Sequence, residues 1–172
     1  MKKFLIMGNQ NAITYNSIFY HLINKEVRIG INYLFWYQVP DDYPLYGKAV
    51  KEEGGKKYIK VNGSCWITNL DSNYKPPFLE LKRVYSKVYY QYFDKTSVLN
   101  VDKVSDIPKD YKGVMGVPLT FIYKYNPEQF DIVGIANHGV GNEYDYFKPF
   151  INGKEIFKRL LIVNKEIQEH NE

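Results

Sequence analysis

A single cysteine, Cys65, among 172 residues rules out a disulfide within the chain. Histidine is almost as scarce: His21, His138 and His170 lack zinc-ligand spacing, so no metal site is expected. Long apolar runs are missing too. Nothing approaches the about 18 residues of a membrane span, and the apolar run that follows Lys2 and Lys3 is too short for a signal-peptide core. The expected location is the cytoplasm, with no membrane contact. Neither sign of charge dominates: +4 with a pI near 8.9 admits a nucleic-acid partner without the polybasic arm that would demand one. Internal repeats, heptads and low-complexity tracts are lacking, as is any Ser-His-Asp or Cys-His arrangement of useful spacing.

What is abundant is aromatic. Seventeen tyrosines and ten phenylalanines bring the aromatic share to 17%, and such rings pack well on a pleated surface. With 45% hydrophobic residues, the chain can bury a real core. The expected fold is a single domain over residues 1–172, mixed α/β and β-rich, with hairpins and few helices.

Residues 4–8, an apolar run ending in Gly8, predict a strand buried on both faces. Ile18, Phe19, Leu22 and Ile23 then fall at helical spacing, with Asn11 or Thr14 as the cap. Residues 28–39, with Ile29, Ile31, Tyr33 and Phe35 alternating, predict one strand running into Pro40, and residues 41–55 an exposed loop. Asn62-Gly63 between residues 58–61 and 65–70 predicts a hairpin, as does Asn152-Gly153 between residues 147–151 and 156–163. Asn126, Pro127 and Gln129 suit one helical turn, after which residues 130–134 return to strand.

Gly113, Gly116 and Pro118 predict a tight turn before Leu119, either approaching DNA closely or redirecting the chain. Lys48, Lys51, Lys56, Lys57 and Lys60 form one basic stretch; Lys75, Lys82, Arg83 and Lys87 form another, with tyrosines interleaved. From these, Lys56, Lys57, Lys60, Lys82, Arg83 and Lys87 are the candidates for phosphate contact, the competing explanation being a solvated lysine-rich face. The two glycines of Asn137-His138-Gly139-Val140-Gly141 precede acidic and aromatic residues rather than a helix, so a loop is expected and not a nucleotide cradle.

Three stretches, in order, resemble the EcoRI-type adenine-specific DNA methyltransferase family: Lys3-Phe4-Leu5-Ile6-Met7-Gly8-Asn9-Gln10-Asn11-Ala12-Ile13-Thr14-Tyr15, Cys65-Trp66-Ile67-Thr68-Asn69-Leu70, and Asp110-Tyr111-Lys112-Gly113-Val114-Met115-Gly116-Val117-Pro118, which runs on to Tyr125-Asn126-Pro127-Glu128-Gln129-Phe130. Lys112, Ile122 and Tyr123 depart from the family pattern, and residues 78–103 match it poorly, which bears on sequence preference.

The resemblance implies methyl transfer from S-adenosylmethionine to the amino group of adenine in DNA, within a restriction-modification system. In that family an Asn-Pro-Pro-Phe motif just upstream of the equivalent of Lys3 does the chemistry, and this sequence does not contain it. Lys75-Pro76-Pro77-Phe78 is no substitute, because lysine only donates whereas the adenine amino group needs acceptors. No catalytic residue is therefore named. The expectation is a C-terminal portion of such an enzyme, with the cofactor-binding part absent, inactive alone, and binding no S-adenosylmethionine by itself. Gly8, Asn9, Gln10 and Asn11 are expected to line the substrate cleft, or else only to cap a helix. Trp66 is a candidate face for an extruded base, or else a core residue. Expected partners are DNA, a separate N-terminal methyltransferase half, and a second copy paired through an exposed sheet edge. The alternatives are a free-standing DNA-binding accessory module and a nonfunctional remnant.

Overall fold

In the computed structural model, which describes residues 2–31, 36–45, 49–71, 75–139 and 143–165, the central apolar segment is near the end of the chain. Leu160, Leu161 and Ile162 are all within 1% of complete burial, as befits successive apolar residues in a strand covered on both faces.

In chain order the elements are β1 (Leu5–Asn9), α1 (Asn16–Ile23), β2 (Arg28–Ile31), β3 (Trp36–Val39), β4 (Val50–Glu53), β5 (Lys56–Lys60), β6 (Ser64–Thr68) and β7 (Leu99–Asn100). They continue with β8 (Met115–Pro118), β9 (Phe130–Ala136), β10 (Asp145–Phe147), β11 (Phe150–Ile151), β12 (Lys154–Glu155) and β13 (Arg159–Asn164). Short 3-10 helices cover Gln10–Thr14, Val104–Asp106 and Leu119–Lys124.

A five-stranded sheet of order β10-β9-β13-β8-β7 forms the body. It is mixed: β13 runs antiparallel to β9 and β8, while β10 and β7 run parallel to their neighbours. Its core gathers Ile13 and Phe19 from the start of the chain, Phe121 and Phe130 from the middle, and Leu160 and Ile162 from the end. An antiparallel sheet of order β1-β6-β2 joins that core through Ile29 and Tyr123, which pack against both clusters of buried residues. A third sheet, β3-β5-β4, is tied on by the Tyr37 hydroxyl, which donates to Ser64 Oγ at 3.3 Å. The chain is thus mixed α/β and β-rich, as its composition implies.

Several local expectations are corrected. Residues 4–8 do form a strand, but β1 is an edge with Leu5, Ile6 and Met7 exposed, because β6 is its one partner among the described residues. The helix is present, yet neither Asn11 nor Thr14 caps it; Asn9 instead accepts from the Asn11 amide and caps the preceding 3-10 helix. The strand expected over residues 28–39 is two strands in different sheets, and Tyr33 and Phe35 lie outside the described residues.

Asn62-Gly63 makes a turn but not a hairpin. Gly63 has φ +75° while Asn62 is not in the left-handed region, so the turn carries the chain from β5 into a different sheet. The hairpin lies one turn earlier, where Gly54 and Gly55 at φ +60° and +71° join β4 to β5 inside the expected loop. Asn152-Gly153 does close a hairpin, with both residues at positive φ, but it joins β11 to β12, and the final strand leaves it for the central sheet. Gly116 sits in β8, not in a turn: a Cβ there would lie 2.4 Å from the buried Phe93 ring, so glycine lets the two segments meet.

Candidate nucleic-acid interface

Two surfaces bring together the residue types that bind nucleic acid. The first is a groove of about 820 Å³ running along β2 and β6. Trp66 and Gly30, opposite each other in register, form its floor, and Tyr123, Tyr125, Pro76 and Pro127 form the facing wall. Lys25, Arg28 and Lys75 supply cations to its lining, and Asp71 a carboxylate engaged by Lys3 at 2.6 Å. Burial pushes the Tyr123 and Tyr125 hydroxyls up to about 12, so both are neutral donors at neutral pH. Burial also raises the Cys65 thiol, an effect that a hydrogen bond with Tyr123 partly offsets.

Asn126 and Gln129 hold the groove's outer wall in place. The Asn126 side-chain amide donates to the Pro76 carbonyl at 2.7 Å, and Gln129 both accepts from the Leu79 amide at 2.7 Å and donates to its carbonyl at 2.9 Å. The expected helical turn at residues 126–129 is therefore a clamp on residues 75–81. In the same wall Lys75 pairs with Glu128.

The second surface is the loop from Lys82 to Tyr92. Both of its stems are pinned. On one side the Lys109 amide donates to the Arg83 carbonyl at 2.9 Å and the Tyr85 amide to Asp110 at 2.7 Å. On the other, the Asn100 amide donates to the Gln91 carbonyl at 2.8 Å, and Phe93 is buried against β8. Between them the Tyr89 and Tyr90 amides both donate to the Ser86 carbonyl, closing a tight turn, and the Tyr90 hydroxyl donates to the Asp106 carbonyl at 2.6 Å. Tyr85, Tyr90 and Tyr111 pack ring on ring, and the Tyr85 and Tyr92 hydroxyls are 2.7 Å apart. Arg83 lies over the Tyr89 ring, 5.4 Å from its centre, with its Nε 3.5 Å from Asp106.

The residues singled out from sequence fall into three places. Lys82, Arg83 and Lys87 lie in the pinned loop, with Lys82 3.2 Å from Glu80. Lys56, Lys57 and Lys60 lie on β5, where Lys57 is 4.0 Å from Asp41 and Lys56 stands opposite Glu53 in register; Lys48 lies outside the described residues. Trp66 is half-buried in the groove, not in the core. Gly8 and Asn9 end β1, opposite Cys65 and Ser64 in register, and Gln10 and Asn11 open the 3-10 helix; Asn9 and Gln10 pack on Gly63, with the Gln10 amide donating to the Gly63 carbonyl at 2.7 Å, and none of the four lines the groove. Residue-level reading missed Lys25, Tyr123 and Tyr125, which reach the groove only through tertiary packing, and Val88 and Tyr89 at the loop apex. For the apex a signal existed: residues 81–93 carry three cations and no carboxylate.

The model of the family described as adenine-specific methyltransferase EcoRI matches residues 1–170. The chain is 39% identical over 174 residues to the type II methyltransferase M.EcoRI of Escherichia coli, an alignment covering 98% of this chain and 52% of that protein. It is 36% identical over 184 residues to the type II methyltransferase M.MgeORF184P of Mycoplasma genitalium, covering 96% of this chain and 58% of that protein. Against the type II methyltransferase M.MpnI of Mycoplasma pneumoniae it is 37% identical over 139 residues, covering 77% and 44%. The chain thus spans about half the length of these curated relatives. No solved structure matches it.

Proposed function

The chain belongs to the EcoRI-type adenine-specific methyltransferase family, and from that membership we propose that it is the C-terminal, DNA-facing portion of an adenine-specific DNA methyltransferase. It transfers no methyl group by itself and acts together with a segment that brings the cofactor site and the Asn-Pro-Pro-Phe motif. The observation that carries this reading is the edge of β1. Leu5, Ile6 and Met7 are 53%, 54% and 43% exposed on a strand whose other side is paired to β6, the arrangement that accepts a further strand. Gly8, Asn9, Gln10 and Asn11 would then face the cleft between the two segments, and Trp66 would offer its ring to an unstacked base or to the incoming segment.

The residues in hand do not fit S-adenosylmethionine. A nucleotide-like cofactor is cradled by unspent backbone amides after a strand, and here those amides are engaged. After β1, the Gln10 and Asn11 amides are taken by the Gly63 carbonyl and the Asn9 side chain. At residues 137–139 the three amides donate to the buried Asp145 carboxylate at 2.8–3.0 Å. The cofactor is therefore assigned to the complementing segment.

The test is methyl transfer from labelled S-adenosylmethionine to adenine-containing duplex DNA. The chain alone is expected to give none, and transfer is expected once a segment carrying the cofactor turn and the Asn-Pro-Pro-Phe motif is supplied. Robust transfer by the chain alone would overturn the reading. Without that segment, the same edge is expected to pair two copies, measured as a dimer in sedimentation that Ile6→Lys disperses.

A further inference from the structure

The loop apex holds a side chain that the packing of this chain does not explain. Val88 is 98% exposed, and beside it Tyr89 and Val84 are 57% and 56% exposed. A lone exposed valine on a mobile tip needs no account. This one is carried on a turn closed by two bonds to the Ser86 carbonyl, between stems fixed to residues 98–100 and 108–110. Rigidity of this kind lowers the entropy lost when a loop inserts into a partner.

The surroundings identify that partner by charge. Residues 81–93 carry Lys82, Arg83 and Lys87 and no acid. The nearby carboxylates are already engaged: Asp110 accepts from the Tyr85 amide, Asp106 sits beside Arg83, and the exposed Glu80 lies 3.2 Å from Lys82, a surface pair that a phosphate can displace. An apolar apex flanked by cations, with tyrosine hydroxyls at its base, matches a polyanion whose grooves expose apolar groups. Duplex DNA is such a ligand, because the major groove presents the thymine methyl between rows of phosphates.

We propose that the loop from Lys82 to Tyr92 reads duplex DNA, Lys82, Arg83 and Lys87 holding the phosphates while Val88 enters the major groove against thymine methyl groups. The inference rests on the DNA-facing reading above and adds to it the element that makes the contact and the chemistry it selects.

The experiment uses the full chain and two fluorescein-labelled duplexes of one mixed sequence, the second carrying deoxyuridine in place of every thymidine, with anisotropy followed across salt concentrations. The unsubstituted chain is expected to bind with a salt dependence of about 0.9 per phosphate engaged. It should prefer the thymine duplex by about fourfold, the effect of one buried methyl. Lys87→Ala should weaken binding to both duplexes alike and lower the salt slope by about one. Val88→Ala should keep the slope and abolish the preference, while Lys56→Ala on β5 should change neither. A Val88→Ala chain that still prefers thymine, or a Lys87→Ala chain with an unaltered slope, overturns the loop's role and leaves DNA binding standing. Absence of binding by the unsubstituted chain at low salt overturns the DNA-facing reading itself, and a protein-binding apex would then remain.

Discussion

Lysines alternate with aromatic rings in two parts of the molecule, the small sheet of β3, β5 and β4 and the loop from Lys82 to Tyr92, and the resemblance ends there. In the sheet Lys51 and Lys57 meet carboxylates. Lys51 lies 2.8 Å from Glu53 and over the rings of Trp36 and Tyr58, and Lys57 is 4.0 Å from Asp41. Exposed pairs of this kind contribute little stability but cancel the field a phosphate would feel. In the loop Lys82 and Arg83 also have acidic neighbours, Glu80 at 3.2 Å and Asp106 at 3.5 Å, but residues 81–93 themselves carry no acid, and the stems are sewn to the main core. A basic run becomes a contact surface when its own segment carries no acid and its backbone is held, and of the two only the loop meets both conditions.

The largest expected effect separates the two by their seating. Phe93, 1% exposed, closes the loop against Gly116 of β8, and Phe93→Ala should cost about 3–5 kcal/mol. For a chain of this size that lowers the melting temperature by roughly 10 °C. Ile59, 4% exposed, is buried on β5 of the small sheet, whereas Phe93 packs on β8 of the central sheet. Ile59→Ala should open the small sheet alone, seen as faster amide exchange at Tyr58 and Lys60 with the main thermal transition in place. Equal losses of melting temperature would show that the sheet is as deeply seated as the loop.

A smaller effect tests the charge argument. If Glu52 and Glu53 are what silence the sheet, the double change Glu52→Gln and Glu53→Gln should give the chain a second phosphate-binding face. Duplex affinity at low salt should rise by roughly an order of magnitude, and the salt slope should steepen by about one or two. An unchanged slope would mean that the sheet's lysines are badly placed for DNA and not merely neutralised.

Much of this was legible in the sequence where a single principle decides. Residues 130–134 and 156–163 read as strands because apolar runs bounded by turns have few other uses, although the second begins only at Arg159, and Asn152-Gly153 closed a hairpin, but with Lys154–Glu155 and not with the final strand. Asn62-Gly63 did not, since β5 pairs with β3 and β4 while β6 pairs with β1 and β2, partners that local sequence does not specify. The Gly54-Gly55 hairpin was hidden because its strand Val50–Glu53 is mostly exposed and charged, and gives no apolar alternation. The groove's aromatic wall and the loop's pins were out of reach for a further reason. Their partners are far apart in sequence, Tyr85 with Asp110 and Asn126 with Pro76, and nothing in local composition marks such pairs.

The smallest effect concerns the loop's hydroxyls. Hydrogen bonds from Tyr85 and then Tyr111 hold the Tyr92 phenol below the ordinary tyrosine value of 10, and the same bond raises Tyr85, so Tyr92 ionises first. A group whose folded value is depressed favours the folded state above its ordinary value and loses that contribution as pH falls through the folded value. As pH climbs toward 10, therefore, the loop gains a negative charge without coming apart. DNA binding should weaken over that interval while the fold persists. Tyr92→Phe should remove the pH dependence and leave binding at neutral pH nearly unchanged. Tyr123 and Tyr125 act in the opposite sense: raised to about 12, they stabilise the fold fully below 10 and lose that contribution as pH rises through the folded value. Alkaline unfolding should thus begin only after binding has already declined. If binding and folding were lost together, the loop's charge would not be acting separately from the fold, and the distinction between loop and sheet would rest on seating alone.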